Sequence, residues 1–239
     1  MLVTVLGANG PTGRLLTKQL VYAGHTVRAL TRHLDAGGLA GLGITVIGGD
    51  ATNEKDLRRV LRGAEAVVSV LGTPYGKEPI SLYSESARAI TRALADGPRR
   101  LVVTSSAVLS SWQDPAMSWV ERTVLLRILG NIGRTLYDDM RRMEDIVTAT
   151  ELDWTIMRPL GLANMDSPTV YAIAEDHIGG KQTARRDLAA AIVDQVTRTD
   201  YIRKTAAVAT TNKSVSIPLT IWREGIKPNL PRIGTSKRT

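Results

Sequence analysis

The sequence predicts an α/β fold: a single domain built on a doubly wound parallel sheet with helices on both faces. Three observations lead there. Apolar, β-branched segments alternate with stretches of helical periodicity along most of the chain, the pattern of strands joined by crossover helices. The first strand, Leu2-Val3-Thr4-Val5-Leu6, runs straight into Gly7-Ala8-Asn9-Gly10-Pro11-Thr12-Gly13 and then the apolar-periodic Leu15, Leu16 and Leu20, a strand, glycine turn and helix in one unit. No linker divides the 239 residues, a length that one α/β domain commonly fills.

Taken in order, the buried strands are expected at Thr26–Leu30, Ile44–Ile47, Ala66–Leu71, Leu101–Thr104, Trp154–Met157 and Ala206–Thr210. Between them, periodicity and breakers place helices at about 11–23, 53–62, 80–96, 115–129, 132–150 and 185–198. Three glycines at three-residue spacing let the backbone turn tightly, let a pyrophosphate approach main-chain N–H groups, and let the next helix pack close to its strand. Pro11 suits the first helical turn, where N–H groups lack internal partners. Those N–H groups and the helix dipole favour an anion. A nucleotide is therefore expected along the carboxyl ends of the strands.

Composition narrows the class. The chain is 43% hydrophobic and 23% charged, which favours neither disorder nor a membrane protein. It has no cysteine, which excludes disulfides, zinc thiolates and cysteine nucleophiles and fits a reducing cytoplasm. The N-terminus has no basic region before its short apolar run, and no stretch approaches the length of a bilayer span, so a soluble, unprocessed chain is expected. The formal net charge is +8, and half the excess falls from Arg223 onward, where five basic residues, Arg223 included, face one acid. With no basic helix interleaved with aromatics, nucleic acid is not the expected partner. The three histidines, His25, His33 and His177, lack metal-ligand spacing, so no metal is expected.

Candidate site residues lie at the strand ends. Arg32 closes the second strand, with no acid before Asp35. A basic residue there suits the extra phosphate of NADP, where an acid would hold the ribose hydroxyls of NAD. Asp50 is placed either to accept from an adenine amine or to cap the helix near Asn53. Leu71-Gly72 would let a cofactor pass close to the backbone. Thr104-Ser105-Ser106 sets hydroxyls at a strand terminus, where they can polarise a carbonyl. Tyr137 and Arg141 stand four apart on one helix face, and a phenol beside a cation has its ionised form favoured. An Asp138–Arg142 pair on a solvated helix face explains the same segment.

With the glycine turn, Arg32, Gly48-Gly49-Asp50, Ser69-Val70-Leu71-Gly72, Thr104-Ser105-Ser106, Asp139-Met140-Arg141-Arg142-Met143-Glu144 and Leu152-Asp153-Trp154-Thr155-Ile156-Met157-Arg158-Pro159 in this order, the chain resembles the atypical short-chain dehydrogenase/reductases. Within them it is most similar to the NAD(P)H-binding, NmrA-like group that includes flavin reductase/biliverdin-IXβ reductase. The resemblance covers about Met1 to Thr211, and residues 214–239 form an extension outside it. It implies a Rossmann-type sheet with a small substrate-binding portion built from C-terminal segments, and an extended NADP(H) over the strand ends. Gly7, Asn9, Gly10, Thr12 and Gly13, with Pro11 opening the helix, would lie at the pyrophosphate, and Arg32 at the adenosine phosphate. Asp50 and Ala51 would flank adenine, and Leu71 and Gly72 the nicotinamide ribose. Thr104 and Ser105 would lie under the nicotinamide, Pro159 and Leu160 would meet its carboxamide by main-chain contacts, and Ser106 would touch substrate. The superfamily's Tyr-x-x-x-Lys pair is here Tyr137 and Arg141, and arginine holds charge without losing a proton.

The expected activity is thus NADPH-dependent hydride transfer to a conjugated or aromatic acceptor such as a flavin, quinone, tetrapyrrole or enone. NADP(H) is expected rather than NAD(H), with Ser106, Tyr137 and Arg141 as catalytic candidates in a monomer or homodimer. Alternatives are an NADP-holding redox sensor without turnover, and a ketoreductase or epimerase that depends on Tyr137. Thr73–Pro79, Ser110–Gly133 and the loop after Pro159 are expected to form the substrate pocket, with Trp112 and Trp119 as its aromatics or as anchors of an extra helix. Val124–Leu129 is expected in the core, and Ile217–Trp222 docked on the sheet, the pocket rim or a second subunit.

Overall fold

The computed structural model describes residues 1–34, 38–39, 41–76, 78–109, 119–165 and 169–212. Of the side chains between 120 and 132, only that of Thr123 is described. Asp35, Trp112, the side chains of Val124–Leu129 and the segment Ile217–Trp222 therefore lie outside the described residues.

The strands are β1 (Leu2–Leu6), β2 (Thr26–Thr31), β3 (Thr45–Gly48), β4 (Ala66–Ser69), β5 (Arg100–Thr104), β6 (Asp153–Pro159), β7 (Gly161–Ala163), β8 (Tyr171–Glu175), β9 (Gln182–Ala184) and β10 (Lys204–Thr210). The helices are α1 (Pro11–Tyr22), α2 (Glu54–Leu61), α3 (Leu82–Ala93), α4 (Trp119–Thr148) and α5 (Arg185–Thr197). Eight strands form one sheet in the order β3-β2-β1-β4-β5-β6-β10-β8, parallel except for the antiparallel edge pair β10–β8. The chain leaves β1 toward β2 and β3 on one side and returns to β4 on the other. That reversal opens a crevice at the carboxyl ends of β1 and β4.

Period-two alternation builds both layers. Val3 and Val5 of β1, with Val68 and Met157, pack under Leu16 and Leu20 of α1 and Leu188 and Ile192 of α5. Leu6, Val67, Val103 and Ile156 face the other way, into Leu57 of α2, Ile90 of α3 and Met143 of α4. Every residue of β4 is buried, as a central parallel strand covered on both faces requires.

Two expectations about elements change. The helices expected at 115–129 and 132–150 are one helix of 30 residues. The break expected between them, at Gly130-Asn131, is continuous helix, and Gly133, inside the second expected helix, is buried where a Cβ would come within 2.6 Å of the Tyr137 ring and 3.0 Å of the Tyr75 ring. The glycine admits a close contact and does not end the helix. The short strands β7, β8 and β9 were not expected; β7 and β9 pair with each other in a separate two-stranded sheet. The three-residue runs of β7 and β9 are too short for a pattern to register, and β8 is an antiparallel edge strand outside the alternation of strand and crossover helix.

Candidate functional site

The glycine turn sits where the sheet reverses. Gly7 holds φ +85°, and a Cβ on it would lie 2.7 Å from the Val70 carbonyl oxygen, just past β4. A Cβ on Gly13 would lie 2.1 Å from the Gly7 oxygen and 2.8 Å from Ala8 backbone atoms, so α1 approaches β1 more closely than any side chain permits. Gly10 N–H donates to the Gly7 oxygen at 3.0 Å, closing the turn. Gly10 is the N-cap of α1, Pro11 opens the helix, and no side chain caps it and no acid occupies its first turn. The first-turn N–H groups are thus left for an external anion. Thr12, buried in that turn, accepts from the Arg185 guanidinium at 3.4 Å.

Asn9 ties this turn to the end of β2: its amide donates to Thr31 Oγ1 at 2.6 Å and to the His33 oxygen at 3.3 Å. Between those two residues, Arg32 is exposed. Asp50 stands on the same rim. The Thr52 backbone N–H first, then its hydroxyl and the Arg32 charge, hold the Asp50 carboxyl below its ordinary range. Asp50 does not cap the following helix. Asn53 does, with its Oδ1 accepting from Lys55 N–H at 2.9 Å and Asp56 N–H at 3.3 Å. Asp50 Oδ1 instead accepts from the Thr52 N–H and hydroxyl, each at 2.9 Å. Ala51 beside it is buried in the core.

Toward the middle of the crevice, Leu71 packs against the core and Gly72 is exposed, with no heavy atom within 4 Å of the place a Cβ would take. At the end of β5, Thr104 Oγ1 and Ser105 Oγ are buried and find no hydrogen-bond partner among the described residues. Two unpaired buried hydroxyls are costly unless something binds there. Ser106 Oγ accepts from Val108 N–H at 3.3 Å, which leaves its own proton to donate elsewhere. Leu160 N–H is already committed to Thr183 Oγ1 at 2.9 Å and the Val208 oxygen at 3.3 Å. Pro159 has no N–H, so the main-chain contact expected from this pair falls to a carbonyl.

Tyr137 is buried, and its hydroxyl lies 3.1 Å from that of Tyr75, the two rings meeting edge to face at 6.3 Å. Burial above all, and then Tyr75, push the Tyr137 phenol up. The sequence expectation was the opposite, a phenol with its ionised form favoured by Arg141. The Arg141 guanidinium pairs instead with Asp138 at 3.3 Å, and Arg142 with Asp139 at 3.0 Å in place of the expected Asp138–Arg142 pair. Thr135 Oγ1 donates to the Gly76 oxygen at 3.3 Å, so the segment from Thr73 lies against α4 at two points. Trp119, a candidate pocket aromatic or helix anchor, is 76% exposed.

Sequence reasoning missed Tyr75 as an individual residue, although it falls within the expected pocket segment Thr73–Pro79. It also missed what Asp139, Glu144 and Arg158 do. Asp139 is fully buried and accepts from Tyr83 N–H at 2.8 Å and Ser84 N–H at 3.4 Å, capping α3 from α4. Glu144 and Arg158 form a buried two-pronged ion pair at 3.0 and 2.6 Å that ties α4 to β6. A separate depression of about 470 Å³ lies between Thr91–Gly97 and Thr150–Leu152. It is at the amino ends of β5 and β6, the wrong end of a parallel sheet for a nucleotide. Among the described residues no cluster of acids and histidines could hold a metal ion, and no helix is long and apolar enough to cross a membrane.

The family model described as NAD(P)H-binding matches residues 7–199. Solved structures give the same fold at low identity. A short-chain dehydrogenase/reductase from Veillonella parvula, determined with NADP, is 20% identical over 88% of this chain and 95% of its own, with a TM-score of 0.69. ChuY, an anaerobillin reductase from Escherichia coli O157:H7, is 19% identical over 90% of this chain and 100% of its own, with a TM-score of 0.70. The oxidoreductase ylbE from Lactococcus lactis is 17% identical over 90% of this chain and 93% of its own, with a TM-score of 0.72.

Proposed function

The chain belongs to the NAD(P)H-binding family, and from that premise we propose that it is an NADPH-dependent reductase of a conjugated or aromatic small molecule, such as a flavin, quinone, tetrapyrrole or enone. One observation carries the proposal: Thr104 and Ser105 present buried, unpartnered hydroxyls at the end of β5, in line with the glycine turn, where a nicotinamide with its polar carboxamide fits. The bound cofactor supplies hydride; the protein supplies binding, orientation and electrostatics. The Gly7–Gly13 turn and the uncapped start of α1 hold the diphosphate. Arg32, at the rim with Asp50, favours the phosphate of NADP over a bare ribose. A carbonyl of Pro159 or Leu160 accepts from the carboxamide. Ser106, with its hydroxyl proton free, donates to the acceptor.

Tyr137 stays protonated through the neutral range, so it serves as a hydrogen-bond donor, and solvent replaces the proton the acceptor gains. The pairing of Arg141 with Asp138, away from the phenol, favours this reductase over a ketoreductase or epimerase, which would draw a proton from that phenol. The reductases among structural neighbours of the same fold are in keeping with this class.

The test offers purified protein NADPH with a panel of flavins, quinones, tetrapyrroles and enones, following absorbance at the nicotinamide band. NADPH oxidation with at least one acceptor is expected, and Ser106→Ala should lower kcat about tenfold or more with NADPH affinity unchanged. Tight NADPH binding with no turnover on any acceptor would overturn the reductase in favour of a redox sensor.

A further inference from the structure

Arg14, the fourth residue of α1, is fixed on two sides. Its Nε donates to the Asn9 oxygen at 2.9 Å, inside the glycine turn. Its guanidinium sits against Gly38, past the end of β2: a Cβ on Gly38 would come within 2.4 Å of Nε and 2.5 Å of Cζ. Asn9 joins this position to Arg32, because the same residue that accepts from Arg14 donates through its side chain to Thr31 and His33, on either side of Arg32. Both arginines are exposed. Neighbouring arginines spend their donors on the protein: Arg28 on the Val60 and Arg62 oxygens, Arg58 on Glu54, Arg59 on Asp56 and the Gly48 oxygen. The two Nη groups of Arg14 and the whole guanidinium of Arg32 make no hydrogen bond or direct ion pair among the described residues, the Asp50 carboxylate acting on Arg32 through its charge alone.

A planar, preorganised fork with unused N–H groups is the geometry that phosphate takes. In a doubly wound sheet the carboxyl end of β2 is where the adenosine ribose lies. We propose that Arg14 is a second cation for the ribose 2′-phosphate of NADP, gripping it from the α1 side opposite Arg32, and that Gly38 exists to let the guanidinium lie there. This rests on the nicotinamide-nucleotide reading above and adds to it a specificity residue and the glycine that seats it. One exposed arginine gives a single fork. Two, one of them held by the phosphate turn itself, give a cradle that distinguishes a phosphate dianion from a hydroxyl.

The experiment needs no hydride chemistry. Calorimetric titration with 2′,5′-ADP and with 5′-AMP reads the 2′-phosphate alone, and circular dichroism with thermal melts checks that each variant is folded. Wild type should bind 2′,5′-ADP at least about tenfold tighter than 5′-AMP. Arg14→Ala should weaken 2′,5′-ADP by about tenfold and leave 5′-AMP unchanged. Gly38→Ala keeps the charge but displaces it with a methyl group, and should reduce the same preference by a smaller factor. If Arg32→Ala abolishes the preference while Arg14→Ala and Gly38→Ala leave it intact, the role of Arg14 is overturned and the NADP reading survives. If Arg14→Ala weakens both nucleotides equally, Arg14 only shapes the turn and the proposal fails. If wild type binds neither nucleotide, the cofactor reading falls first and this inference with it.

Discussion

At Gly13 and Gly72 the same missing side chain serves different ends. A methyl group on Gly13 would meet backbone atoms at 2.1 and 2.8 Å, and backbone cannot step aside as a side chain can. Gly13→Ala should cost about 1–3 kcal/mol or more in overpacking and abolish NADPH binding, since α1 must leave the turn it completes. At Gly72 nothing lies within 4 Å of the same methyl group, so Gly72→Ala should fold with stability within about 0.5 kcal/mol of wild type and yet bind NADPH more weakly. Urea midpoints and nucleotide titrations on the two variants separate these effects, and unchanged affinity in Gly72→Ala would remove Gly72 from the cofactor's edge. The glycine turn was legible in sequence because its spacing is local. The roles of Asp50 and Asn53 were not resolved there, because either carboxyl or amide can cap from a nearby position and only the backbone dihedrals choose. Arg14 was invisible, since its place depends on contact with the distant Gly38.

At the scale of elements, α4 organises one flank of the candidate pocket. Asp139 gives α3 the cap that its own N-terminal residue Ser81 does not provide with a side chain. Glu144 fixes α4 to β6, and Gly133 lets Tyr75 reach Tyr137. The block Asp139 to Glu144 is one of the motifs that carry the family resemblance, and in the fold two of its members hold helices and strands together. Sequence could find the block and not its purpose, because a carboxylate that caps a neighbouring helix reads like one on a solvated face. Asp139→Ala should destabilise the protein by about 2–4 kcal/mol, through two unmet N–H groups at α3 and the lost pair with Arg142. Asp139→Asn, which keeps an acceptor, should cost less. Denaturant midpoints at constant slope measure both, and a cost below about 0.5 kcal/mol in Asp139→Ala would show that α3 does not depend on this cap.

Across the whole molecule, the β–α rhythm carried the parallel sheet covered on both faces, so the carboxyl ends of the strands were legible as the nucleotide's place, whereas the strand order that sets the crevice between β1 and β4 was not. The small β7–β9 sheet and the antiparallel β8 edge were not legible either, because their register is set by long-range pairing rather than local pattern. The tyrosine cluster is another product of long-range packing: Tyr75 follows β4, Tyr83 lies on α3 and Tyr137 on α4. Burial pushes Tyr83 up to about 12 and raises Tyr137 as well. In an unfolded chain both phenols ionise near their ordinary value of about 10. The folded state therefore holds protons that the unfolded state releases, and stability is intact below about pH 10 and lost as pH rises through the folded values. Each phenol should contribute a slope of about 1.4 kcal/mol per pH unit in that window. Urea midpoints measured from pH 9 to 11.5 should fall more steeply for wild type than for Tyr137→Phe, which removes one of the raised phenols and leaves Tyr83 and Tyr171. Parallel slopes for the two proteins would mean that the Tyr137 hydroxyl is open to solvent, and it would then regain its candidacy as a proton donor to the substrate.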